Sequence, residues 1–157
     1  MNDREYTLDA MRRYGKQRAQ EVQTASATMT GTELNAEDGF IPEFKIAVSK
    51  MNMLKRPIGF VCKSSAGRVV KLLQPYDSTI YTQEPEELPA QFGFVWSQDP
   101  AKAKPFVAMA TSPYMIGDCC SVEVEKDGRE ITAVYRSLID NNVHSPLDYP
   151  AGWELVA

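Results

Sequence analysis

Over the first two dozen positions, apolar residues recur by threes and fours. Leu8, Met11, Ala19 and Val22 fall on one stripe, with Thr7 placed to cap and Asp9 in the first turn, which predicts an N-terminal helix. Gly15 interrupts the stripe, and the face is too narrow to anchor a large core, so the helix is expected to pack on a partner chain or lie loosely over its own body. Positions 24–32, TASATMTGT, hold small and hydroxyl residues with almost nothing to bury and read as a linker. Thr30 and Glu33 have capping-box spacing, predicting one helical turn that runs to about Asn35.

From Pro42 the texture changes to short apolar runs punctuated by Pro, Gly, Asp and Ser. Expected strands are 58–63, 68–74, 92–97, 106–110, 121–125, 131–137 and 153–156, with tight turns at 64–67 and 126–128. The fold class read from this is mainly β with an N-terminal α-helix, in which two small antiparallel β modules stand in tandem. The divisions are a helical and linker segment at 1–41, a first module at 42–97 and a second at 98–157. Repetition supports the tandem reading. Pro85, Pro89, Ala90 and Phe92 recur as Pro146, Pro150, Ala151 and Trp153, each 61 positions on. Ile58 and Gly59 likewise match Ile116 and Gly117, and 68–74 matches 133–139.

Composition narrows the function classes. A net charge of −4 offers polyanions no face except Arg12, Arg13, Lys16 and Arg18, which read as a solvated helix side, so nucleic acid is not an expected partner. No apolar run approaches a membrane span, and the first residues lack the core of a secretion signal, so the chain is expected to be made in a cytoplasm without membrane insertion. Cys62, Cys119 and Cys120 are expected to be reduced and mostly buried, because adjacent cysteines pair only with strain.

No catalytic or metal chemistry is expected, and no cofactor. The single histidine, His144, has no partner signature, and the neighbouring carboxylates Glu86 with Glu87 and Glu37 with Asp38 read as solubilising loops. Asp77, Asp140, Asn141 and Asn142 offer hard oxygen donors that suit calcium, but Asx turns are the simpler use.

The stretch TSPYMIGDCCSVEV, VYRSLIDNN and SPLDYPAGWELV resembles the chitin-binding-type carbohydrate-binding modules, in Tyr114, Gly117, Asp118, Val122, Gly128, Tyr135, Pro146 and Trp153. The first module is similar through Gly59, Val61, Gly67, Gln74, Pro85 and Phe92. The order of helix, Thr-rich turn and modules also resembles a group of phage and prophage proteins encoded among tail or virion genes. Within the resemblance, Tyr135 and Trp153 are core aromatics. The sugar platform of the relatives would fall where this chain has Leu138, Ile139 and Asp140, or Leu73, Gln74 and Pro75, so the scaffold is implied more than the glycan chemistry. Tyr76, Trp96 and Tyr149 are the candidate exposed aromatics for a carbohydrate, and Leu8, Met11 and Ala19 the candidates for attachment or oligomerisation.

The expectation is therefore a non-enzymatic structural or assembly component of a phage or phage-derived particle, located in the virion. Its expected partners are other phage structural proteins and further copies of itself. Two alternatives stay open: an accessory protein that binds a bacterial cell-surface glycan, and a chaperone of tail-fibre assembly.

Overall fold

The computed structural model describes residues 2–157. Helix α1 spans Asp3–Ala25, two residues of its first turn being acidic, which suits the positive end of the helix dipole. The cap is Asn2, not Thr7: the Asn2 carboxamide accepts from Glu5 N–H at 2.8 Å while Glu5 accepts from Asn2 N–H at 3.1 Å. Thr7 lies inside the helix and donates to the Asp3 carbonyl.

The expected linker is also structured. After α1 comes a 3-10 turn, Ser26–Thr28, and then α2, Gly31–Ala36, with the Thr30 and Glu33 capping box formed in both directions at 3.1 Å. Small residues are needed there because the chain runs close to the first sheet: Ser26 is buried, and its carbonyl accepts from the Lys71 ammonium at 2.9 Å. A third helix, α3, covers Phe44–Lys50.

Seven strands follow: β1 (Val61–Lys63), β2 (Val69–Leu72), β3 (Phe92–Val95), β4 (Lys104–Pro105), β5 (Cys119–Lys126), β6 (Arg129–Ser137) and β7 (Trp153–Leu155). They form a three-stranded antiparallel sheet, β1-β2-β3, and a four-stranded sheet, β4-β5-β6-β7, in which only β4 with β5 is parallel. The strand expected at 106–110 does not form. Pairing occurs two residues earlier, and after Phe106 N–H donates to Ser121 O at 2.9 Å the chain leaves the sheet as Phe106 packs on the core.

The two modules repeat register for register. Cys62 opposite Val70 recurs as Cys120 opposite Tyr135, and Lys71 opposite Gly93 recurs as Arg136 opposite Glu154. The first long strand of each hairpin, β1 or β5, is entered through a glycine at positive φ, Gly59 at 89° and Gly117 at 94°, a backbone region that penalises any residue with a Cβ. The N–H of each closes on the strand end, Gly59 to Leu72 O at 2.7 Å and Gly117 to Ser137 O at 2.9 Å. Even the parallel edge recurs, as a bridge between Glu43 and Lys63 and as the pairing of Pro105 with Ser121. A 3-10 turn precedes each edge, Asp38–Phe40 in one case and Pro100–Lys102 in the other. The repeated unit thus begins near Asp38, a few residues before the boundary expected at 42.

One core serves both modules. Phe44, Met53, Cys62, Leu72 and Phe92 from the first are continuous with Tyr114, Cys120 and Trp153 from the second. At the junction Trp96 stacks on Tyr114, with centroids 4.3 Å apart and planes at 15°, and Tyr114 stacks in turn on Phe106 at 5.4 Å. Polar contacts close the same junction. Cys119 N–H donates to Ser97 O at 2.8 Å, and the buried-side Asp38 carboxylate receives Lys104 at 2.7 Å and Lys102 at 3.0 Å. Burial raises the Asp38 pKa, but the two lysines outweigh it and hold the carboxyl below its ordinary value.

A smaller cluster, Val22, Leu34, Ile41, Val61 and Val69, fixes the end of α1 and α2 to the other face of the first sheet. Gln23 completes this attachment. Its side-chain amide accepts from Val61 N–H at 2.9 Å and donates to Val61 O at 2.6 Å. Val61 is the counterpart of Cys119, so α1 gives the first module the backbone partner that the first module gives the second.

Cys62, Cys119 and Cys120 are free and buried. Burial pushes the thiols of Cys62 and Cys120, equivalent positions in the two modules, up to about 12 from an ordinary 9.0. The sign of the linkage follows. Above pH 9 the unfolded chain loses these protons while the folded chain keeps them, so stability falls by up to about 1.4 kcal/mol per pH unit for each thiol. Thermal melts taken from pH 8 to 10.5 are expected to show a midpoint that drops progressively above pH 9. A Cys62→Ala, Cys120→Ala double variant, less stable at neutral pH, should show a flatter dependence over that range; an equal slope would assign the alkaline loss to other groups.

Candidate functional site

Helix α1 meets its own body only from its midpoint onward. Tyr14 touches the ring of Phe40 edge-on at 6.1 Å and 81°, Arg18 pairs with Glu37, and Val22 is buried. Before that, every residue of 3–13 is exposed except Asp9, which Arg13 covers through an ion pair of 2.9 Å. These residues make an arm of roughly 16 Å at the helical rise of about 1.5 Å per residue. Its backbone is locally supported by the Asn2 cap, the acidic first turn and the Asp9 to Arg13 pair.

The arm is not polar all round. Tyr6, Met11 and Tyr14 are 63%, 64% and 62% exposed, and with Thr7, Ala10, Gly15 and Phe40 they line an open groove of about 540 Å³ between helix and body. Met11, Gly15, Arg18 and Val22 are spaced by threes and fours, so the side of α1 that faces the groove is the side that is buried further along. Exposed aromatic and methionine side chains grouped in this way are unusual for a surface with no partner.

Of the attachment residues expected from sequence, Leu8 and Met11 lie on the free arm. Ala19 does not: it is half-buried in a second groove beside Ile41 and Pro42, because the helix has by then settled on the body. Sequence reasoning missed Tyr6, Tyr14 and Phe40. The signal for the first two is the four-residue spacing of Tyr6, Ala10 and Tyr14, a row beside the stripe of Leu8, Met11, Ala19 and Val22.

The expected carbohydrate residues share no exposed platform. Tyr76 and Trp96 are each only 6% exposed. The Tyr76 ring meets Phe92 edge-on at 5.7 Å, and Trp96 is held between Phe94 and Tyr114 while its indole N–H donates to Ser112 O at 2.9 Å. Trp96 is core because the two modules press together along β3, and Tyr76 because its loop folds back onto Phe92 of its own module; no local pattern announces either contact. Tyr149 is exposed and lies over Gly152, near His144.

The oxygen donors considered for calcium are occupied by turns. Asp77 accepts from Asn52 and from the backbone and hydroxyl of Thr79, and the Thr79 hydroxyl leads in holding its pKa low. Asp140 accepts from Ile116 N–H at 3.0 Å, and buried Asn142 bridges Tyr114, Ser137 and Gly152. Among the described residues no three His, Cys, Asp or Glu side chains converge as metal ligands, and no helix is long and apolar enough to cross a membrane.

Compared with known proteins, the chain matches no family model, no curated protein and no solved structure.

Proposed function

We propose that the chain is a non-enzymatic assembly component of a phage or phage-derived particle, with α1 as its attachment arm and the paired modules as its body. The observation that carries the assembly part is the apolar groove along residues 6–15, formed by a capped helix that the body leaves uncovered. A helix face of this kind gains most when a second apolar surface covers it. The particle itself is inferred from the resemblance of the helix, the Thr-rich turn and the duplicated modules to virion proteins. A glycan-binding role has less support, since two of its three candidate aromatics are inside the core.

The test is incorporation. Particles from a producing host would be purified and the chain counted by quantitative mass spectrometry, with the full chain and with a chain lacking residues 1–13. The full chain is expected at fixed stoichiometry. The shortened chain keeps Val22 and Gln23, so it should stay folded by circular dichroism yet be depleted at least tenfold. Particles that lack the full chain, or that take up both chains equally, would overturn the reading. Cutting as far as residue 28 would confuse the result, because it removes the Val22 plug and the Gln23 bonds to Val61.

A further inference from the structure

We propose that the outer edge of β5, over residues 122–126, accepts an extended segment of another protein in which basic and apolar residues alternate, added to the sheet as a further strand. This edge belongs to the second module and is separate from α1 and its groove.

The second module carries an extension that the first folds without. Eight positions separate the paired residues Cys62 and Val70, and fifteen separate Cys120 and Tyr135, so the β5 to β6 hairpin is seven residues longer. Its neighbours do not follow it outward. β4 pairs with β5 only at Cys120 and Ser121, and β7 and the residues after it reach β6 only from Val134 on. Residues 122–133 are therefore a two-stranded ribbon, which is marginal in water until a third strand joins it. The backbone fixes which groups that strand would meet. Ser121 O accepts from Phe106 N–H on the β4 side, and backbone groups two residues apart along a strand point the same way. Glu123 and Glu125 thus turn both N–H and C=O outward, beyond the place where the chain leaves the sheet at Phe106, and none of these four groups has a partner among the described residues.

The side chains choose the partner. One side of the ribbon holds Val122 opposite Ala133 and Val124 opposite Ile131; the other holds Glu123 opposite Thr132 and Glu125 opposite Glu130. Like charges placed directly opposite are destabilising, and none of the three glutamates makes an ion pair among the described residues. A strand laid along β5 alternates in the same way. Its residues beside Glu123 and Glu125 are lysine or arginine, and those between, on the side of Val122 and Val124, are apolar. Main-chain bonds then supply the affinity and the alternate side chains the specificity. A second copy of this edge does not fit. Two copies would have to pair through Glu123 and Glu125, whose backbone groups face outward, and residues opposite one another in an antiparallel pair share a side. Every register open to them sets glutamate beside glutamate, so the carboxylates guard the edge against self-pairing while they admit a cationic strand.

The test is fluorescence anisotropy with the full chain and a labelled, end-blocked peptide of alternating residues, Val-Lys-Val-Lys-Val-Lys-Val. Expected is saturable binding with a dissociation constant on the order of 100 µM. Grouping the lysines at one end, or replacing them with glutamate, should weaken it at least about tenfold, which separates strand pairing from bare charge attraction. Glu125→Pro removes an outward N–H that the hairpin does not use, so it should abolish binding while the far-ultraviolet circular dichroism is unchanged. Should proline disturb the hairpin, Glu123→Lys with Glu125→Lys answers by inversion: the lysine peptide is lost and the glutamate peptide is gained. No binding at about 1 mM, equal binding of the grouped peptide, or a double lysine variant that still prefers the lysine peptide would overturn the proposal. None of these outcomes depends on α1, so failure at this edge and failure of α1 as the attachment arm are distinct results.

Discussion

Replacing Tyr114 by alanine is expected to lower stability by about 3–5 kcal/mol, the range for truncating a large buried aromatic, and to unfold both modules together. Tyr114 is 1% exposed and belongs to the second module by sequence, yet its ring lies against Trp96 of the first at 4.3 Å and against Trp153 of its own at 5.4 Å. Removing it leaves a cavity bounded by both modules, so neither can relax without the other. Natural domains hold about 5–15 kcal/mol in all, and a loss of this size leaves little in reserve. The two tryptophans give one reporter for each module. Fluorescence melts of Trp96→Phe and Trp153→Phe, each in the Tyr114→Ala background, should coincide with each other and with far-ultraviolet circular dichroism. A shift in the Trp153 signal alone would refute the shared core. Tyr114→Phe separates packing from polarity: it removes only the hydroxyl that accepts from Val107 N–H at 3.3 Å, so it should cost no more than about 1.5 kcal/mol.

The joint core also explains which parts of the molecule the sequence discloses. Pro85, Pro89 and Phe92 could be matched to Pro146, Pro150 and Trp153 because the turn leading into β3 and β7 keeps one length in both modules, the bond from Gln91 N–H to Leu88 O recurring as that from Gly152 N–H to Tyr149 O. Upstream the spacing drifts: Cys62 and Cys120 are 58 positions apart, whereas Val70 and Tyr135 are 65 apart, because the β5 to β6 hairpin is longer. Turn chemistry was equally legible at Thr30 and Glu33, where two side chains three positions apart suffice to form the cap. Burial set by one module pressing on another was not legible. Trp96 looks like the exposed end of a strand until β3 and the second module are brought together, and Tyr76 looks like a loop aromatic until its loop folds onto Phe92. The attachment site was half visible: periodicity exposed Leu8 and Met11, but Phe40 comes from a turn that only the fold carries to Tyr14.

Gly31 and Gly15 should respond in opposite directions to the same substitution. A methyl group on Gly31 would stand 2.2 Å from the Trp96 carbonyl oxygen and 3.2 Å from a Val95 methyl. The carbonyl belongs to the backbone at the end of β3, so the contact is relieved only by lifting α2 from the sheet. That movement would strain the bond from the Asn35 carboxamide to Val95 O at 3.0 Å, and Asn35 is fully buried. Overpacking of about 1–3 kcal/mol combined with a weakened buried hydrogen bond of about 1 kcal/mol puts Gly31→Ala near 3 kcal/mol destabilising. Gly15 sits in the interior of α1 with nothing within 4 Å of an added methyl. Gly15→Ala should therefore gain the helix-propensity difference, up to about 1 kcal/mol, and stiffen the root of the arm. Urea titrations of the two variants measure both effects on one scale. If Gly31→Ala unfolds at the same midpoint as the parent chain, α2 is not seated on β3 as described, and the wall that joins the N-terminal helices to the first module is held by the Val22 and Leu34 cluster alone.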